Sequence, residues 1–336
     1  MIMLRKSLTL LACGVLAGGE PDLRASASVE YQVVHGWPVL PAGRILGQAT
    51  GVGVDSHDQV FVFHRAGREW TTPFPEEPIA AATVTVFAGD SGEVVGEWGA
   101  GLFIMPHGLT IDAQDNVWLT DVGLQQVFKF TPGGELLLTL GTAKEAGRDR
   151  SHFNLPTDVA VLPGGDFYVS DGYVNTRVVK FSAAGGFLFQ WGTRGTGPGQ
   201  FRLPHGIALD SAGRVYVADR SNSRVQVFDG KGEYLSEWKG VELGRPYAIA
   251  IRAGAAYVVD GGDQPRRPPD RSRAFRLSLA GDIEAEFGRF GNYDGQFRLG
   301  HDIAVGADGA VYVADAWGMR VQKFVPQGGQ ELPEDK

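Results

Sequence analysis

The chain has 336 residues, 43% of them hydrophobic and 21% charged, which is ample material for a packed core. The formal net charge is −8 and no basic block occurs, so a nucleic-acid partner is excluded as the natural reading. The one cysteine, Cys13, lies near the N-terminus, so the rest of the chain must hold together by packing and without disulfides.

The chain begins MIMLRKSLTLLACGVLAGGE. Arg5 and Lys6 precede an apolar stretch, Leu8 to Leu16, and small residues follow. That is the layout of a secretory signal, and the stretch is too short to span a bilayer. Cleavage is expected near Ala17–Gly19, giving a secreted or periplasmic protein. Cys13 follows LLA, a weak likeness to a lipoprotein box; the plain reading is a cysteine inside the signal core, the other a lipoprotein anchored there. Residues 1–30 read as signal and short linker, 31–326 as one catalytic domain, and 327–336 as a flexible tail.

Six segments then share one plan. Their opening runs are TGVGVD at Thr50, HGLTID at His107, TDVAVL at Thr157, HGIALD at His205, YAIAIR at Tyr247 and HDIAVG at His301. A second run follows a short turn in each: VFVFHR, VWLTDV, FYVSDG, VYVADR, AYVVDG and VYVADA. A third follows, such as RVVKF or RVQVF, and a fourth ends in an aromatic and a glycine, as in GEWG and LFQWG. All four runs alternate or are β-branched and read as strands. Four strands per unit of roughly 40–50 residues is the pattern of a propeller blade. The fold class is therefore all-β, a six-bladed β-propeller. Its wording resembles the NHL repeat family. The sixth unit stops after its third strand, at Phe324, and YQVVHGW, Tyr31–Trp37, has the form of the missing fourth. The N-terminal strand is thus expected to join the last blade and close the ring, leaving no open seam. Two insertions, Glu69–Pro78 in blade one and Gly261–Arg273 in blade five, read as exposed loops near a mouth of the propeller.

The first strand of a blade lines the central channel, so the opening residues form one ring: Thr50, His107, Thr157, His205, Tyr247 and His301. Histidine occupies alternate blades, which sets three imidazoles around one axis. Three neutral imidazoles with room for another ligand suit a catalytic zinc, although other divalent transition metals accept such a set. The bland alternative is that each histidine caps a strand or bonds a neighbouring carbonyl. His35, His57, His64 and His152 do not share the position and read as structural.

Strand two runs antiparallel to strand one, so the residues just after it face the same mouth as the histidines. These are Arg65, Asp171, Tyr173, Arg220 and Trp317. An arginine, a tyrosine and a three-histidine metal in one cavity could carry acid/base chemistry on an anionic substrate. Asp121, Asp171, Asp219, Asp260 and Asp315 recur in five blades, which favours a turn-bonding role for them.

Six stretches carry a more specific likeness: VFVFHRAGREW, MPHGLTIDAQDNVWLTDVGLQQVFKF, HFNLPTDVAV, FYVSDGYVNTRVVKFS, GPGQFRLPHGIAL and GHDIAVGADGAVYVADA. Through them the chain resembles the peptidyl-α-hydroxyglycine α-amidating lyase family over residues 47–325. The resemblance implies a zinc held by His107, His205 and His301, an essential tyrosine at Tyr173 and an essential arginine at Arg65. It also implies a structural calcium in the channel, on the carbonyls of Val52 and Leu109 and the carboxylate of Asp302. The implied reaction breaks the Cα–N bond of a C-terminal α-hydroxyglycine, giving an amide and glyoxylate. On this reading Zn2+ and nearby Arg65 should lower the Tyr173 pKa. Asn154 and Val174 stand where the animal enzymes have a cysteine pair. No second, copper-monooxygenase domain is apparent, so hydroxylation is expected from a separate enzyme, and the substrate is a peptide or a small N-acyl hydroxyglycine. Two other readings are a calcium-dependent propeller hydrolase or lactonase, which would use carboxylate and asparagine ligands, and a non-catalytic NHL module binding a protein partner.

Overall fold

The computed structural model describes residues 29–240, 242–262 and 271–327. The signal segment, Cys13, the tail beyond 327 and most of the Gly261–Arg273 insertion lie outside the described residues. Six four-stranded antiparallel sheets follow one another along the chain, and the fold is the six-bladed propeller that the repeats predict.

Blade one is typical. Ala49–Val54 is innermost, followed outward by Gln59–His64, Val84–Ala88 and Val94–Trp98. The second strand is buried on both faces apart from its first residue, as its VFVF run requires, whereas the fourth alternates between half-buried and exposed residues. The innermost strands of the other blades are Pro106–Ile111, Asp158–Val161, Pro204–Leu209, Pro246–Arg252 and Gly300–Val305. In the last sheet Tyr31–Val33 pairs antiparallel with Arg320–Pro326, with Tyr31 opposite Pro326. The strand is shorter than YQVVHGW suggests. Gly36 at φ 78° turns the chain away, and Pro38 has no N–H to continue a ladder.

The core lies between blades. Six buried apolar clusters each fill one seam. Phe167 and Trp118 meet between blades two and three, and Trp37 packs with Phe87 and Tyr312 between blades six and one. Each such ring, taken out of water, contributes about 2–3 kcal/mol. The recurring aromatic–glycine ending has a packing cause. Trp98 ends blade one and lies against Gly134 in the outer turn of blade two, where a Cβ would stand 2.8 Å from the indole; Trp191 covers Gly232 in blade four in the same way, at 2.7 Å. Among the described residues no helix is long and apolar enough to cross a membrane.

Candidate metal centre and adjoining cavity

Each channel histidine is placed by an aspartate at the end of the second strand of its own blade. Asp121 accepts the N–H groups of Ile104 and Met105, at 2.8 and 2.9 Å. Asp219 does the same for Arg202 and Leu203, and Asp315 for Arg298 and Leu299. Met105, Leu203 and Leu299 stand two residues before His107, His205 and His301. Their carbonyls are also bound, by the N–H groups of Val122, Arg220 and Ala316. All three carboxylates are fully buried. This is the turn-bonding role expected of the recurring aspartates, and it fixes where each inner strand begins.

The three imidazoles converge. One ring nitrogen from each of His107, His205 and His301 lies within 4.8 Å of the others, and the ring centroids are 4.8–4.9 Å apart. The other nitrogen of each reaches the next blade. His107 Nδ1 is 2.8 Å from the Thr157 carbonyl, His205 Nδ1 2.6 Å from that of Tyr247, and His301 Nδ1 2.7 Å from that of Thr50. A carbonyl only accepts, so each Nδ1 carries the proton and each Nε2 presents a lone pair. The three acceptors are the three ring positions that lack histidine. The bond to a neighbouring carbonyl is therefore real and also aims the free nitrogen at the axis, as the outward hydrogen bond of a metal-binding histidine does. Burial holds all three imidazoles below the ordinary value of 6.5, with His301 near 3, so they are neutral. His205 Nε2 is buried without any hydrogen-bond partner. A buried imidazole lone pair left this way is costly unless something occupies it, and three converging imidazole nitrogens fit zinc.

Above the trio is a cavity of about 400 Å³, with Arg65, Tyr173, Arg220, Trp317 and His301 in its lining. The Arg65 guanidinium is held by Nε to the Pro106 carbonyl at 3.0 Å and by one terminal nitrogen to Gln48 Oε1 at 2.6 Å, leaving the other terminal nitrogen for a ligand. Burial draws Arg65 down to about 10, still charged at neutral pH. Tyr173 lies with its hydroxyl 3.1 Å from His107 Nε2. Burial raises its pKa and outweighs Arg220 and Arg65, which pull it down; in the protein alone the direction is thus opposite to the lowering expected beside a metal and an arginine. Arg220 stacks on the Tyr247 ring at 3.9 Å.

Asp171 does not join this group. It is fully buried and accepts from Asn154 N–H, Asn175 and Arg177, the last in an ion pair at 2.9 Å, so its carboxylate is spent within its own blade as those of Asp121, Asp219 and Asp315 are. Of the histidines set aside, His64 is buried against Thr85, while His35, His57 and His152 sit beside surface acids.

Below the trio, toward the other mouth, a second cavity of about 240 Å³ is lined by all six inner strands, including Val52, Leu109 and Asp302. Asp302 accepts the N–H groups of Val52 and Ile303, both at 2.9 Å. Asp158, in the opposite blade, copies it: it accepts the N–H groups of Ile207 and Val159. Burial raises both carboxyls, that of Asp158 to about 7. Among the described residues no lysine or arginine pairs with either. Two half-buried carboxylates lining one channel are a donor set suited to a hard cation. Asp158 was not singled out from sequence, although TDVAV and HDIAV put both aspartates at the second position of an inner strand. Trp70 and Gln48 were also missed. Trp70 lies in the blade-one insertion, with its ring 5.0 Å from the Arg65 guanidinium and 5.5 Å from the Tyr173 ring.

The NHL repeat model matches residues 153–181, 201–228 and 299–324. The chain is 39% identical over 301 residues to peptidyl-glycine alpha-amidating monooxygenase B of Xenopus laevis, covering 84% of this chain and 34% of that protein. It thus spans about a third of that relative's length. It is 33% identical over 314 residues to peptidyl-alpha-hydroxyglycine alpha-amidating lyase 2 of Drosophila melanogaster, covering 86% of this chain and 73% of the other. Among solved structures, a streptogramin B lyase superposes with a TM-score of 0.58 at 13% identity, over 89% of this chain and 98% of that one. At that identity the likeness is one of fold.

Proposed function

Since this chain belongs to the peptidyl-alpha-hydroxyglycine alpha-amidating lyase family and is a lyase, we propose that it cleaves the Cα–N bond of a C-terminal α-hydroxyglycine, releasing an amide and glyoxylate. The observation that carries this reading is the convergence of three neutral imidazoles, each with Nδ1 bound to the next blade and Nε2 left as a lone pair.

In the reaction the carbinol O–H loses its proton, its oxygen forms the C=O of glyoxylate, the Cα–N bond breaks, and the departing amide nitrogen gains a proton. A zinc ion on His107, His205 and His301 would supply Lewis acidity toward the carbinol oxygen. Tyr173, beside His107, handles the proton that moves from that oxygen to the nitrogen. Arg65 receives the substrate carboxylate on its uncommitted terminal nitrogen, with Gln48 and Pro106 holding the fork in place. Arg220 stands near Tyr173 and adds positive charge on the same side. Burial strengthens each of these interactions.

We further assign a structural calcium to the Asp302 carboxylate and the carbonyls of Val52 and Leu109, in the lower half of the channel. The charged and apolar layout of residues 1–20 supports export, to the periplasm or outside the cell. The names of the relatives support a peptide as substrate; a small N-acyl hydroxyglycine carries the same reacting group. The test is glyoxylate release from an N-acyl-α-hydroxyglycine before and after chelation. Release that chelation stops and zinc restores supports the reading. No release from the zinc-loaded protein contradicts it.

A further inference from the structure

The cavity above the histidines is lined unevenly. Blades one, three and four bring Arg65, Tyr173 and Arg220 to it. Blade six brings Leu299, Ala316 and Trp317, and above His301 its side chains are apolar apart from the indole N–H of Trp317. Leu299 and Ala316 are buried in the seam between blades five and six, and Trp317 packs on that cluster. The blade-one insertion adds a second indole, Trp70. Its ring is held by Phe74, edge to face at 5.0 Å, by Tyr173 and by the Arg65 guanidinium. An indole fixed on several sides offers a rigid surface that loses little entropy when a ligand covers it.

We propose that Trp317, Leu299, Ala316 and Trp70 form the subsite for the acyl side of the substrate, and that this side is a bulky apolar group, aromatic or large aliphatic. The inference rests on the lyase reading. In that reading the carboxylate is drawn to the arginines and the carbinol carbon to the histidines. The acyl group is the remaining end and must lie against the rest of the wall. A charged or strongly polar acyl group would lose water there and gain at most one indole N–H from blade six. Glu69, also in the lining, repels an anionic one. An apolar acyl group removes indole and leucine surface from water together with its own.

The test compares kcat/KM for N-benzoyl-, N-acetyl- and N-succinyl-α-hydroxyglycine with the zinc-loaded protein. The benzoyl compound should exceed both others by roughly tenfold or more, mainly through KM. In Trp317→Ala the benzoyl-to-acetyl ratio should fall to about threefold or less. Trp317→Phe, which keeps an aromatic face, should retain most of it. Equal kcat/KM for the three compounds, or a ratio unchanged in Trp317→Ala, overturns the subsite while leaving the lyase reading in place. No glyoxylate from any of the three overturns both.

Discussion

The hydroxyl of Tyr173 lies 3.1 Å from Nε2 of His107, whose Nδ1 is already committed to the Thr157 carbonyl at 2.8 Å. The neutral imidazole can therefore only accept there, and the tyrosine O–H points at one of three converging lone pairs. Tyr173 also stacks against Trp70 and belongs to the packing between blades one and two. Its hydroxyl and its ring thus have separable jobs. Tyr173→Phe removes the first and keeps the second. Its kcat for glyoxylate release should fall about 10²- to 10³-fold, with the unfolding midpoint and zinc content near those of the parent. Retention of kcat would remove Tyr173 from the proton path.

Asp219 holds the approach to His205, and it also pairs with Arg224 at 3.0 Å in a buried site. Asp219→Ala removes the acceptor of the Arg202 and Leu203 N–H groups together with the more deeply buried of that guanidinium's two carboxylates, leaving it Glu237 at 2.8 Å. Breaking a buried pair from one side costs about 3–5 kcal/mol. Chemical denaturation should show a loss of that size, and because Leu203 is no longer clamped, zinc affinity should fall as well. A stable variant with full zinc affinity would show that the clamp is dispensable.

His64 gives the fold a pH dependence away from the three channel histidines. It is buried, accepts the Ala66 N–H on Nδ1 and bonds Thr85 through Nε2. Burial lowers its pKa from 6.5 to about 4. The unfolded chain therefore binds this proton at a higher pH than the folded one. The stability it confers is fully present above about pH 6.5 and is lost as pH falls toward 4. Between pH 7 and 5 the parent should lose about 2 kcal/mol more than His64→Gln. Parallel stability curves for the two proteins would contradict this.

The calcium assignment predicts a thermal response. Calcium removal should lower the unfolding midpoint by several degrees, since an ion bound only by the folded state stabilises it by mass action. Asp302→Asn should unfold at the lower temperature and no longer respond to calcium. Identical melting of the parent with and without calcium would remove the ion from the channel.

Much of this was legible in the sequence because a propeller repeats its register. Aligning six opening runs placed His107, His205 and His301 on one ring, and the residues after strand two gave Arg65, Tyr173, Arg220 and Trp317 for the cavity above it. What stayed hidden depends on contacts between blades or on loop paths. The Nδ1 acceptors are backbone carbonyls of the next blade, which no side-chain pattern marks. Trp70 reaches Arg65 and Tyr173 only through the course of an insertion outside the repeat. Asp171 satisfies the same positional rule as Tyr173, yet its carboxylate is spent on Asn154, Asn175 and Arg177 within its own blade. Asp158 was overlooked although it shares its repeat position with Asp302, and comparing second positions as well as first would have found it.

The central claim is that the three imidazoles hold a metal required for carbon–nitrogen cleavage. It is tested most directly by measuring bound zinc and glyoxylate release together, in the parent and in His205→Ala. The account predicts about one zinc per chain in the parent, with amide and glyoxylate formed in equal amounts, and in the variant a loss of both zinc and activity. A His205→Ala protein that releases glyoxylate at the parent rate without zinc would contradict it.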